Sequence, residues 1–243
     1  MATELWFTEV VNKALGPATT AVLEKLGIHP AHPGSPINDA VAMEILVVLL
    51  LILFFLAVRA TLSVDKPSSL QHLVEIGQGF VEEQARGVIG HHYERYIPYA
   101  MTVGFFILLS NLLGLVPGFE SPTANPSVPL GCAVLTFIYY HYHGIRHHGA
   151  HYYKQFVGPV WALAPLMVLI EVVSHLARIL SLTVRLYANM FAGDLVTMAF
   201  FSLVPVVVPV IFLGLHLGVA LVQTFIFVML TLVYLGLAVS EEH

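Results

Sequence analysis

Residues 195–240 form a run of 46 positions without a single Asp, Glu, Lys or Arg. As one helix the run would be about 69 Å long at 1.5 Å per residue. That is more than twice the roughly 30 Å hydrocarbon core of a bilayer. Pro205 and Pro209 offer the break, because proline removes a backbone donor and clashes with the preceding turn. The run therefore reads as parts of two long helices joined near residues 203–209. The rest of the chain has the same character, with 58% of its 243 residues hydrophobic and 10% charged. Soluble domains carry roughly a quarter charged residues. These features predict an all-α integral membrane protein ending in a hairpin of two long, tilted membrane helices, about 157–202 and 208–240.

Three further spans precede the hairpin. Residues 40–58 carry only Glu44, while 97–116 and 123–142 carry no charge at all, and about 20 apolar residues cross a bilayer. Pro122, Pro126 and Pro129 turn the start of the third. Residues 1–38 mix polar and apolar side chains and end in the proline-rich linker 30–36. They lack the basic start and apolar core of a cleavable signal. This divides the chain into an N-terminal segment, 1–38, and a single membrane domain, 39–243. Between the first two spans Leu73, Ile76, Phe80, Val81 and Val88 recur at helical spacing, with Glu75, Glu82, Glu83 and Arg86 between them. That pattern suits a helix lying on the membrane surface or a small amphipathic helix packed on protein.

Loop charges set the orientation. Arg59, Lys66, Arg86, Arg95, Arg146 and Lys154 fall on one side of three spans, and Lys13 and Lys25 on the other. Basic residues mark the cytoplasmic face, which places the N-terminus outside and residues 240–243 inside, in a multi-pass protein of the cell (inner) membrane. Cys132 is the sole cysteine and can form no internal disulfide. No basic stretch points to nucleic acid.

The informative residues are the charges inside the apolar helices. An Arg at a bilayer centre costs roughly 2.5–3.5 kcal/mol on insertion scales, so it needs a partner or a water path. Glu171, Arg178 and Arg185 are spaced by seven and lie along nearly one helix face, with Ser174, His175, Leu182 and Asn189 on the same stripe. Asp194, nine residues beyond Arg185, is half a turn out of phase and about 13.5 Å away along the axis. A simple ion pair between them is excluded.

The last helix carries His216 and Gln223, again seven apart. With a turn near position 204, Arg185 falls opposite Gln223 and Asp194 close to His216. The carboxylate beside an imidazole can titrate and relay protons. The permanently charged Arg185 cannot, but it attracts a mobile carboxylate and repels a mobile proton. The bland alternative for a lone intramembrane His or Gln is helix–helix hydrogen bonding.

Residues 181–196, Ser-Leu-Thr-Val-Arg-Leu-Tyr-Ala-Asn-Met-Phe-Ala-Gly-Asp-Leu-Val, resemble the signature segment of the a subunit of F-type ATP synthases. Residues 223–235 resemble that family's last helix, 110–117 its second-span motif, and the closing Ser-Glu-Glu-His is similar to many bacterial members. The likeness runs from about residue 40 to the end. It implies a proton channel that is not an enzyme on its own. Two half-channels would carry protons to and from the carboxylates of a c-subunit ring, driving rotation and ATP synthesis on other subunits. It also implies a b-subunit peripheral stalk, the remainder of the synthase and the lipid bilayer as partners, with no cofactor and no metal. By the resemblance Arg185 is the stator arginine, Asn189 and Gln223 are its neighbours, and Asp194 and His216 are the entry-side relay. Glu171, Ser174 and Asn111 are similar to other polar half-channel positions. Gly114 stands where the second-span motif usually has an acid, and Asn125 where an Asp is frequent.

Two other functions compete. His141, His143, His147, His148 and His151 crowd the end of the third span, and imidazole clusters bind iron or zinc. Membrane metalloenzymes need several such boxes, however, and elsewhere only His91 and His92 are adjacent. A proton-coupled secondary transporter would show inverted repeats and unwound mid-membrane helices, and neither is apparent.

Overall fold

The computed structural model describes residues 5–25, 35–64, 66–116, 118–149, 152, 164–203 and 207–239. Every long element among them is an α-helix: α1 (Trp6–Lys25), α2 (Asp39–Ala60), α3 (Ser69–Ile89), α4 (Ile97–Leu113), α5 (Ser127–His148), α6 (Ala164–Leu203) and α7 (Val207–Val239). By length and apolarity α2, α6 and α7 can each cross a bilayer, and α4 is a shorter apolar helix. Most side chains in their apolar windows face outward. That is an inside-out arrangement for water and the natural one for lipid, where helices satisfy their own backbone groups.

α6 runs for 40 residues, about 60 Å, so it cannot stand upright in a bilayer roughly 30 Å thick. Residues 157–163 and 204–206 lie outside the described residues, as do the linker positions 30–34. Pro209 falls in the first turn of α7, where no intrahelical N–H is required of it. α5 begins at Ser127, after a 3-10 turn at Pro122–Ala124, and continues to His148. It is shifted towards the C-terminus relative to the expected span 123–142. Pro129 sits in its first turn, where proline is tolerated, and Gly149 at φ 58° ends it.

α1 was not legible as a helix, since it holds Pro17 and a mixed pattern. It is tied to the start of α2 by polar contacts. Thr8 Oγ1 donates to Asp39 Oδ1 (2.5 Å), and the Leu5 N–H points to the same oxygen (3.3 Å). Asn12 also exchanges two 3.0 Å hydrogen bonds with the backbone of Ile37.

The centre of the fold joins four helices. Ile107 of α4, Ala133 of α5, Leu182, Leu186 and Met190 of α6, and Ala220 and Phe227 of α7 form one buried cluster. α3 buries Val81 and Ala85 against α4 and α7, while Leu73, Ile76 and Phe80 stay exposed. One edge is therefore packed on protein, as one of the two readings of its amphipathic pattern has it, while Leu73 and Ile76 are left exposed.

Candidate functional site

The hairpin α6–α7 brings its polar residues together at two levels. At one level Asn189 Nδ2 donates to Gln223 Oε1 at 2.9 Å. At the next, His216 Nδ1 lies 3.8 Å from Asp194 Oδ1. These two pairs centre the hairpin on position 205 or 206, slightly later than position 204. Asn189, one turn beyond Arg185, therefore takes the place opposite Gln223 that the earlier turn would have given to the arginine. Arg185 instead points its guanidinium toward Ser181 Oγ (3.4 Å) and remains half-buried. A cation left partly open on an outward helix face can meet a group carried by another protein.

His216 is 3% exposed, and its Nε2 has no hydrogen-bond partner among the described residues. The 3.8 Å gap to Asp194 is too long for a direct hydrogen bond, so the two groups stand close without being bonded. The ring sits against Gly193, where an added Cβ would come within about 3.0 Å of three ring atoms. Glycine is thus what lets the imidazole reach the level of Asp194.

Asp194 opens into a cavity of about 470 Å³ between α2, α6 and the α4–α5 connection, lined also by Asp39, Glu120, Asn125 and Met198. Sequence reasoning assigned no role to Asp39 or Glu120. Glu120 stands at an exposed position, yet its carboxyl holds its proton above the usual carboxylate range. Partial burial is the larger cause and the nearby charge of Asp39 the second. The only sequence signal for this pair is two acids at the ends of apolar spans. At Gly114 an added Cβ would meet Ser121 Cβ at 2.8 Å, so the close approach of the α4–α5 connection leaves little space for a side chain there.

Asn111 is fully buried. Its Oδ1 accepts from Thr123 Oγ1 (2.6 Å) and its Nδ2 points to the Ala220 carbonyl (3.4 Å), so it ties the α4–α5 connection to α7. Ser121 caps the same turn by donating to the Ser110 carbonyl (3.1 Å).

Three to four turns before Arg185, Glu171 Oε1 lies 3.2 Å from His175 Nε2, and Ser174 is half-buried on the same helix. Asp194 and Glu171 thus stand about 13.5 Å and 21 Å from Arg185 along the axis, on opposite sides of it. Of the crowded histidines, His141 Nδ1 contacts the Phe137 carbonyl and His143 packs on Tyr96 and Tyr139. His151 lies outside the described residues. Among those described, no three His, Cys, Asp or Glu side chains converge as a metal site.

The family described as ATP synthase A chain matches residues 41–236. Curated relatives align over almost the whole chain. ATP synthase subunit a of Koribacter versatilis is 55% identical over 244 residues, covering 100% of both chains. ATP synthase subunit a of Solibacter usitatus is 46% identical, over 96% of this chain and 99% of its own. ATP synthase subunit a 1 of Pelobacter propionicus is 43% identical, over 89% and 94%.

Proposed function

The chain belongs to the ATP synthase A chain family, and from that premise we propose that its hairpin is the stationary wall past which a ring of c subunits carries protons. As a member it is a non-catalytic subunit of the synthase membrane sector and assembles with the rest of that complex. The finer steps follow from its residues. A proton enters the cavity at Asp39 and Glu120, reaches Asp194, and passes by way of His216 to a ring carboxylate. Neutralising that carboxylate removes the cost of an ion in lipid, so the ring site can turn away from the protein. After nearly a full revolution it meets Arg185, which draws the ring carboxylate back to its ionised state. The released proton leaves on the Glu171 and Ser174 side.

The observation that carries this reading is the placement of titratable groups on both sides of one outward arginine that cannot itself relay a proton. A continuous proton wire would bypass the ring, and a fixed cation interrupts it. The membrane potential supplies about 2.3 kcal/mol per charge per 100 mV to such a path. Contact with the b-subunit stalk and an N-terminus outside the cell membrane complete the proposed arrangement.

The test is Arg185→Ala in the reconstituted complex, with ATP-driven proton pumping and passive proton leak recorded together. Lost pumping with intact assembly is expected, accompanied by an added leak. Normal pumping by an assembled complex would overturn the proposal.

A further inference from the structure

On the other side of Arg185 from Asp194, a buried imidazole joins two helices. His175 is 8% exposed. Its Nδ1 lies 2.9 Å from the Tyr140 hydroxyl of α5, and its Nε2 lies 3.2 Å from Glu171 Oε1, one turn earlier on α6. The Glu171 side chain keeps 35% of its surface open, so the carboxylate touches both the imidazole and the medium. Among the described residues, the charged and titratable groups around His175 include Glu171 and Arg178 of its own helix and Tyr140 and His141 of α5, the His141 ring being 4.7 Å away. From α7, Tyr234 packs on Tyr140 (6.0 Å) and lies beneath the Arg178 guanidinium (5.2 Å).

The carboxylate sets the direction of the chain. An ionised carboxylate can only accept, so the His175 nitrogen that faces Glu171 is the one that donates, and the other, Nδ1, accepts from the Tyr140 O–H. A neutral imidazole has one N–H, which this arrangement places on Nε2, aimed at the carboxylate.

We infer that His175, with its Nδ1 held by Tyr140, is a positioning residue for proton release, holding the Glu171 carboxylate oriented to take the proton that leaves the ring. The inference rests on the proposed function and adds a residue to its exit side. A merely structural histidine would hold α5 to α6 without changing when Glu171 binds or gives up a proton. A hydrogen bond to the charged form of an acid favours that form, so the two roles differ in their pH behaviour.

The experiment uses the full complex in liposomes, with ATP synthesis per assembled complex measured against pH on the Glu171 side. For His175→Leu the expected result is a several-fold loss of rate and an acidic limb moved to higher pH, since a carboxylate deprived of its donor binds its proton more tightly. His175→Gln, whose amide can still donate, restores the limb, and Tyr140→Phe moves it in the same direction as His175→Leu by a smaller amount. An unchanged limb in both His175→Leu and Tyr140→Phe overturns the inference. Should His175→Leu fail to assemble, Tyr140→Phe alone decides. Arg185→Ala run in parallel separates the two levels: if it pumps normally the proposed function fails, and if it abolishes pumping while the His175 and Tyr140 limbs stay fixed, only this inference fails.

Discussion

Asn189 donates a 2.9 Å hydrogen bond to Gln223 across the hairpin, one turn beyond Arg185 on the same helix face. The pair fixes which residues of α7 stand beside the arginine, because a slip of one turn would move Gln223 about 5.4 Å along the axis. Between membrane helices such bonds are worth only about 0.6 kcal/mol on average. Replacing both Asn189 and Gln223 by Ala, singly and together, should therefore give a coupling of that small order in complex stability. Proton pumping should fall far more, since it depends on register. Thermal denaturation of the complex and ATP-driven pumping, measured on the same preparations, check the contrast.

Gly193 lies against the His216 ring so closely that an added methyl group would fit only if the ring gave way. Overpacking of this kind typically costs about 1–3 kcal/mol, or else the neighbour moves. In Gly193→Ala the imidazole is the group that moves, because the opposing atoms belong to a side chain and not to backbone. The expected outcome is an assembled complex with strongly reduced proton flow. A second change that shortens position 216, such as His216→Ser, should relieve the overpacking without recovering the alkaline end of the pH profile. Normal flow in Gly193→Ala would show that the position of His216 does not matter.

How far the site was legible depends on where its residues lie. Asp194 and His216 could be paired from sequence because both sit on long helices whose pitch is fixed, and one turn position sets the whole register. The same argument matched Gln223 to Arg185 instead of Asn189. The prolines bracket the turn but do not say which residue is its centre, and a change of one or two positions reassigns the partner. Glu120 could not be read at all. It belongs to a connection whose path depends on Asn111, Ser121 and Thr123 bonding to one another, and no periodicity encodes that. Gly114 could be noticed as a missing acid, but its close contact with Ser121 could not be foreseen. α1 escaped because its stability comes from Thr8 and Asn12 bonding to residues 25 to 31 positions away.

In the proposed path, Glu120 should make the cavity beside Asp194 sensitive to pH. Its carboxyl, held above the usual range mainly by partial burial and then by Asp39, stays neutral at low external pH and ionises as the pH rises past that raised value. A group of that kind collects protons where an ordinary surface carboxylate has already lost them. Glu120→Gln cannot ionise or collect. ATP synthesis driven by an imposed gradient should decline at a lower external pH in Glu120→Gln than in the unaltered complex, with little change under acid conditions. Profiles that superimpose would remove Glu120 from the path and leave Asp39 as the outer carboxylate of the cavity.

The proposed last step before the ring is tested at His216. Its Nδ1 faces Asp194 at 3.8 Å, and its Nε2 is buried without a partner among the described residues. A buried polar atom left unpaired is costly, roughly 1–3 kcal/mol, and a site that keeps one is a candidate for a transient partner such as a moving proton. Imidazole can pass a proton between its two nitrogens near neutral pH, whereas the amide of His216→Gln preserves polarity and approximate size but does not titrate. The expected phenotype is near-normal assembly with proton pumping most reduced on the alkaline side, where Asp194 alone is least often protonated. Pumping assayed from acid to alkaline pH, normalised to assembled complex, reads this directly. Loss by a constant factor at every pH would indicate that His216 serves only to pack the hairpin, and an unchanged profile would place the proton path elsewhere.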